Sequence, residues 1–242
     1  MAVAIKMKLN EKLYLRDPQE TKLGRNIIQH SIMMINAMGF EDFTFKKLAE
    51  RIESTEASIY RYFENKHRLL LFLLSWYWEW LKYCIELKIL NIEDPKRRLK
   101  IALETLVEAS HRDDPNTEHV NEAVLHRIVI AESAKGYYTK QVDEENQQGL
   151  FLTYKALCRT IQNIIEEINP QFPYPRALAS TLLEMAKSHV YFSEHLPSLT
   201  DISFKAGNSE EQVKKLLLDF AFGLLDSNRF LEQKENGHSA LH

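Results

Sequence analysis

From about residue 21 onward, apolar residues recur at intervals of three and four, the signature of helices with one buried face. Leu23, Ile27, Met34, Ile35 and Met38 make the first such face, and Gly39 stands where a helix would stop. A short pattern follows from Phe45 to Ile52, with Leu48, Ala49 and Ile52 on one side and Thr44 before it as a hydroxyl cap. Ser54 or Thr55 can cap a second short pattern that carries Ala57, Ser58, Ile59, Tyr60, Tyr62 and Phe63. Asn65 can cap a longer helix running through an aromatic stretch toward Asn91. Helices this short are marginal alone in water, so the two short ones must pack on each other and on the helix before them. Three helices with a tight turn between the last two predict a helix-turn-helix.

The pattern stays helical to the end of the chain. It predicts helices near 95–111, 117–133, 138–168, 175–195 and 209–227, about nine in all, and no strands. Proline marks the breaks, at 94–95, 114–115, 169–170 and around Pro173 and Pro175. Residues 1–20 have no clear period and are expected to form an N-terminal arm. The organisation expected is therefore this arm, a head over 21–66 with its motif at 44–63, a helical body over 67–230 and a polar tail over 231–242. The fold class is all-α.

Composition narrows the function. The 242 residues are 45% hydrophobic and 27% charged, which suits a folded globular chain. The longest apolar stretch, Leu69 to Leu81, contains Glu79, and the first residues lack a signal peptide's apolar core, so a cytoplasmic protein without membrane attachment is expected. Two widely spaced cysteines, Cys84 and Cys158, are expected as small core residues, not a disulfide framework. The net charge is −3, but unevenly spread. Residues 1–70 hold 12 Lys/Arg and 9 Asp/Glu, a balance of +3, whereas the rest carries −6. A basic head on an acidic body is compatible with local contact to nucleic acid.

Residues 39–70, GFEDFTFKKLAERIESTEASIYRYFENKHRLL, supply a sharper signal. Gly39-Phe40, Thr44, Leu48-Ala49, Thr55, Ile59-Tyr60, Tyr62-Phe63 and Lys66 have the residue types and spacing of the TetR family of bacterial regulators, which this segment resembles. The resemblance covers roughly residues 20–80. It implies a three-helix DNA-binding head, a larger ligand-binding and dimerisation domain, and no enzymatic activity. Thr44, Lys46, Thr55, Ala57, Ser58, Tyr60, Arg61, Tyr62 and Lys66 are then the candidate DNA-binding residues. Ala57 and Ser58 are small enough for close entry into the major groove. Tyr60 and Tyr62 carry hydroxyls suited to phosphates. Arg61 has the fork that fits guanine, and Lys66 corresponds to the family's phosphate clamp. Leu48, Ala49, Ile52, Ile59 and Phe63 are core. Two departures stand out: the family commonly has Gly in the turn and near the start of the recognition helix, where this chain has Glu53 and Ala57. Glu53, Glu56 and Glu64 also bring negative charge to the expected DNA face.

The body offers less. Phe72, Trp76, Tyr77, Trp78, Trp80 and Tyr83 could pack the head onto the body or line a pocket for a flat or greasy ligand. Phe72, Trp76, Tyr83 and His126 are the candidate ligand-binding residues. Since Trp76, Trp78 and Trp80 cannot share one helix face, at least one is expected to meet a partner or solvent. Glu122 and His126, with His119 further back, and the pair His189 and His195 do not make a recognised metal site, and no cofactor is expected. The resemblance implies a homodimer joined through helices near 175–195 and 209–227, a small-molecule effector of unknown identity and a pseudo-palindromic operator in double-stranded DNA. The competing reading is a helical interaction protein that kept the head but lost DNA binding.

Overall fold

The computed structural model describes residues 6–108 and 120–226. The calls for the 231–242 tail, for His119 and for the helix ends at 109–111, 117–119 and 227 lie outside them. The described residues are helical throughout, without strands: α1 (Lys22–Asp42), α2 (Phe45–Arg51), α3 (Glu56–Tyr60), α4 (Lys66–Ile89), α5 (Pro95–Glu108), α6 (Glu122–Glu132), α7 (Ala134–Tyr137), α8 (Val142–Gln147), α9 (Leu152–Ile168), α10 (Pro175–His195) and α11 (Ser209–Leu225). None of these helices is long and apolar enough to cross a membrane.

Two compact units are present. The first takes the described part of residues 1–81 and 109–155, and the second that of 82–108 and 156–242. The boundary falls inside α4, after Leu81, and inside α9, after Lys155.

In the first unit, α1 to α3 form the three-helix head. α1 buries Ile27, Ile28, Ile32 and Ile35, and its regular path is interrupted at Gly39, whose φ of 79° is readily adopted only without a side chain. α4 is buried on every side between Leu69 and Trp78. The expectation that one of Trp76, Trp78 or Trp80 would meet a partner or solvent is corrected: all three are buried within the chain. Periodicity gives the direction of a side chain but not how many neighbours surround its helix, and this stretch has neighbours all round. Trp78 donates to the Tyr137 hydroxyl and packs on Tyr154, while Tyr77 packs on Trp80 and His126.

The single helix expected over 138–168 is also corrected. It is broken between α8 and α9, and the short α7 precedes it. Leu150 N–H turns back to the Glu145 carbonyl, with Gly149 at φ 78°. The carbonyls of Gln148 and Gly149 then accept from Asn10 Nδ2, each at 3.0 Å. The partner that closes this helix end is nearly 140 residues away in sequence, so no local pattern announces it. α6 begins at Glu122 because the Asn121 side chain accepts from Val124 N–H at 2.8 Å.

In the second unit, α5 places Leu99, Ala102, Leu103 and Leu106 on one buried face. α11 buries Val213, Leu217, Ala221 and Leu225 at four-residue spacing. α5, α10 and α11 pack on one another. Glu108 accepts from Lys88 at 2.8 Å and pairs with Lys214 at 3.3 Å. Burial alone would raise the Glu108 carboxyl pKa, but these two ammonium groups outweigh it and hold it below the ordinary carboxylate value. A depressed carboxylate stabilises the fold above its unfolded pKa and stops doing so as pH falls through the folded value. Glu108→Gln should therefore melt lower than the parent at pH 7, and the two melting curves should converge as pH falls through the folded value of the carboxyl. Thermal melts across that range check this.

Candidate nucleic-acid interface

The recognition element is built from short-range hydrogen bonds. Thr44 Oγ1 caps α2 by accepting from Lys47 N–H at 3.2 Å, and Thr55 Oγ1 caps α3 by accepting from Ser58 N–H at 3.3 Å. The hydroxyls of Thr55 and Ser58 also pair at 2.8 Å. Between the helices, Ser54 N–H reaches the Ala49 carbonyl at 2.9 Å. Leu48, Ala49, Ile59 and Phe63 are buried beneath them, and Ile52 is half-buried.

The candidate DNA-binding residues divide into two groups. Thr44, Lys46, Thr55, Ala57, Tyr60 and Arg61 are exposed, and Ser58 is half-exposed. Tyr60 is 46% exposed, with its ring against Phe45 at 5.1 Å. Among the described residues, neither Lys46 nor Arg61 has a carboxylate within ion-pair distance. Tyr62 and Lys66 face inward. Tyr62 is buried, and its hydroxyl pairs with Thr21 Oγ1 at 2.7 Å. Lys66 Nζ donates to the carbonyls of Phe40, Glu41 and Phe43 at 3.0, 2.9 and 3.2 Å, and lies 4.8 Å from the Phe40 ring centroid.

Other residues support the head that sequence reasoning did not select. Glu132, from α6, accepts from Phe40 N–H at 3.0 Å and pairs with Lys135, which also reaches Glu41. His67 Nε2 meets Glu145 at 2.8 Å, and Arg68 donates to Gln148. These partners lie far away in sequence, and a lone Glu on a helical pattern carries no signal of its role.

The turn residue Glu53 has φ of 52°, in the left-handed region. That backbone conformation is where the resemblance leads one to expect Gly. It costs a residue with a β-carbon ~1–2 kcal/mol.

The candidate ligand residues fall in both units. Phe72 is buried against Phe63 and Tyr14. Trp76 is buried, and among the described residues its indole N–H has no acceptor; the same holds for Trp80 one turn on. His126 is buried, with Nδ1 at 2.6 Å from the Tyr77 hydroxyl. Tyr83 belongs to the second unit and is 40% exposed. Among the described residues, no group of three or more His, Cys, Asp or Glu could hold a metal ion.

With this geometry in hand, comparison with known proteins is informative. Residues 27–72 match the family described as bacterial regulatory proteins, tetR family. The match spans α1 from Ile27, the turn, α3 and the first turns of α4. No curated protein matches the chain. Among solved structures, AibR in complex with isovaleryl coenzyme A and operator DNA is similar at a TM-score of 0.54 and 15% identity, covering 81% of this chain and 97% of that one. The fatty acid degradation regulator FadR from Bacillus halodurans is similar at 0.51 and 16%, covering 80% and 93%. The head is thus a tetR-type helix-turn-helix domain, and the chain carries the all-helical fold seen in these regulators.

Glu53→Gly removes the backbone strain, while the freer unfolded chain takes back part of the gain. The net stabilisation should be about 0.5–1 kcal/mol, read by denaturant unfolding.

Proposed function

We propose that the chain is a DNA-binding transcription regulator: a homodimeric repressor that leaves a pseudo-palindromic operator when a small effector binds. The observation that carries this reading is the exposed set Thr44, Lys46, Thr55, Ala57, Tyr60 and Arg61, with half-exposed Ser58, held on and around α2 and α3 of a tetR-type head. Its members divide by chemistry. Lys46 and Tyr60 suit backbone phosphates, and Arg61 suits a guanine edge. Tyr62 and Lys66 serve this face from within, by fixing α3 and α4 against α1.

A second apolar stripe on α11 supports pairing. Phe220 and Leu224 are exposed beside the buried stripe, with half-buried Leu216 one turn before them, and Gly223 is exposed next to them. α10 and α11, the elements expected at 175–195 and 209–227, are the proposed contact across a two-fold axis. Such a dimer sets its recognition helices about 34–36 Å apart, one turn of DNA, or a multiple of it.

The proposed effector has an acyl chain and a carbonyl. The named precedents are AibR with isovaleryl coenzyme A and FadR in fatty acid degradation. In this chain, the buried aromatic interior, with indole N–H groups at Trp76 and Trp80 that have no acceptor among the described residues, supports that class. Release follows where the effector prefers the dimer state with wrongly spaced heads.

The second reading, an interaction protein without DNA binding, is favoured by exposed Glu53 and Glu56 beside the turn. Selection of duplexes from a random pool, followed by band shifts with the full chain, decides between the two readings. The regulator reading predicts enrichment of a two-fold symmetric sequence and its release by isovaleryl or longer acyl coenzyme A. Tyr60→Ala should weaken binding to all duplexes alike, whereas Arg61→Ala should lose about 1–3 kcal/mol of discrimination at one base pair of each half-site. No retardation of any duplex at low salt would favour the interaction protein.

A further inference from the structure

We propose that the segment Glu11–Lys22 is a second DNA-contacting element, which places Arg16 and Lys22 on the phosphodiester backbone beside the recognition helix. The proposal rests on the DNA-binding reading above and extends its footprint beyond the motif. The sequence pattern marks residues 1–20 only as an aperiodic arm, yet their described part is built into the head. Met7, Leu9 and Leu13 are buried. The Gln19 side chain exchanges hydrogen bonds with the Met7 backbone at 3.3 and 3.1 Å. Asn10 and Asp17 cap two short turns at Glu11–Leu13 and Pro18–Glu20. The segment presses so closely on α1 that a β-carbon at Gly24 would lie 2.3 Å from the Pro18 carbonyl oxygen.

Three contacts fix it to the end of α3. Leu15 N–H donates to the Tyr62 carbonyl at 2.8 Å, the Tyr62 hydroxyl pairs with Thr21, and the Arg16 guanidinium sits 5.6 Å from the Tyr62 ring centroid. Arg16 is thereby held against Tyr62, the residue that follows Arg61 in the chain.

Of the segment's three carboxylates, Asp17 and Glu20 are engaged by Lys6, at 2.8 and 3.0 Å, while Glu11 is exposed at the far end of the segment. Hydrogen bonds to Asp17 and then Glu20 push the Lys6 pKa up, so that ammonium stays charged. Arg16 and Lys22 are exposed, and among the described residues neither has a carboxylate within ion-pair distance. Two exposed cations without carboxylate partners, on a segment bonded to the residue after Arg61, fit a polyanion such as the phosphodiester backbone. Phosphate contact without base contact adds affinity and register but no sequence preference.

The test is equilibrium binding of the full chain to its selected duplex between about 50 and 200 mM salt, comparing wild type with Arg16→Ala, Lys22→Ala, the double variant and Arg16→Lys. Each lost phosphate contact should reduce the slope of log affinity against log salt by about 0.9, so the double variant should lose about 1.8. Its preference for the selected over a scrambled duplex and its melting temperature should match wild type, and Arg16→Lys should keep the slope. A double variant with wild-type affinity and slope overturns the proposal. So does a weakened variant with an unchanged slope and a lowered melting temperature, because that marks Arg16 as a fold residue. If wild type itself fails to bind, the DNA-binding reading falls and takes this one with it, an outcome distinct from both.

Discussion

Helix α1 must stop before the turn to α2, and stopping leaves carbonyl groups without intrahelical partners. The Lys66 ammonium meets that requirement. It gathers the carbonyls of Phe40, Glu41 and Phe43 at one point while its own helix, α4, runs away from them. Bonds from a charged donor contribute more than neutral ones and become costly to lose once partly buried. Glu132 supplies the opposite charge on the same corner by taking the Phe40 N–H. The end of α1, the start of α4 and the end of α6 are therefore joined through the backbone of a few residues after Gly39. The head is held by its own polar groups, and α2 and α3 are presented on a base that is already closed.

This arrangement divides the cations of the head between two tasks. Lys66 and Lys6 are spent inside the chain, on carbonyls and on carboxylates respectively. Lys46, Arg61, Arg16 and Lys22 keep no carboxylate partner among the described residues. Formal charge counts treat all of these as equal, and so the modest excess over residues 1–70 understates how the outward charge is arranged. Glu53 works against the outward face, through both its strained backbone and its carboxylate. A chain that keeps such a residue in the turn gives up some stability there.

Much of the head was legible because its signals are local. Thr44, Asn65 and either Ser54 or Thr55 were marked as caps by their position before apolar patterns, and Thr44, Thr55 and Asn65 each accept from an N–H three residues on. The family motif located the turn, and the match over residues 27–72 agrees with it. What escaped depends on contacts between distant residues. The inward course of Tyr62 follows from Thr21, and the break after α8 is closed by Asn10. Burial of all three tryptophans depends on how many helices surround α4, which a hydrophobic period does not encode. The folding-in of residues 6–20 was hidden for the same reason: single side chains dock into separate places, so no period builds up.

The account turns on whether Lys66 belongs to the inward set of cations. The direct measurement is the salt dependence of duplex binding by Lys66→Met, alongside its thermal melt. An internal Lys66 predicts a loss of stability of about 2 kcal/mol with the salt slope of wild type, since no phosphate contact has been removed. A wild-type melting curve with the slope reduced by about 0.9 would mean that Lys66 contacts phosphate, and would contradict the division of charge on which this account of the head is built.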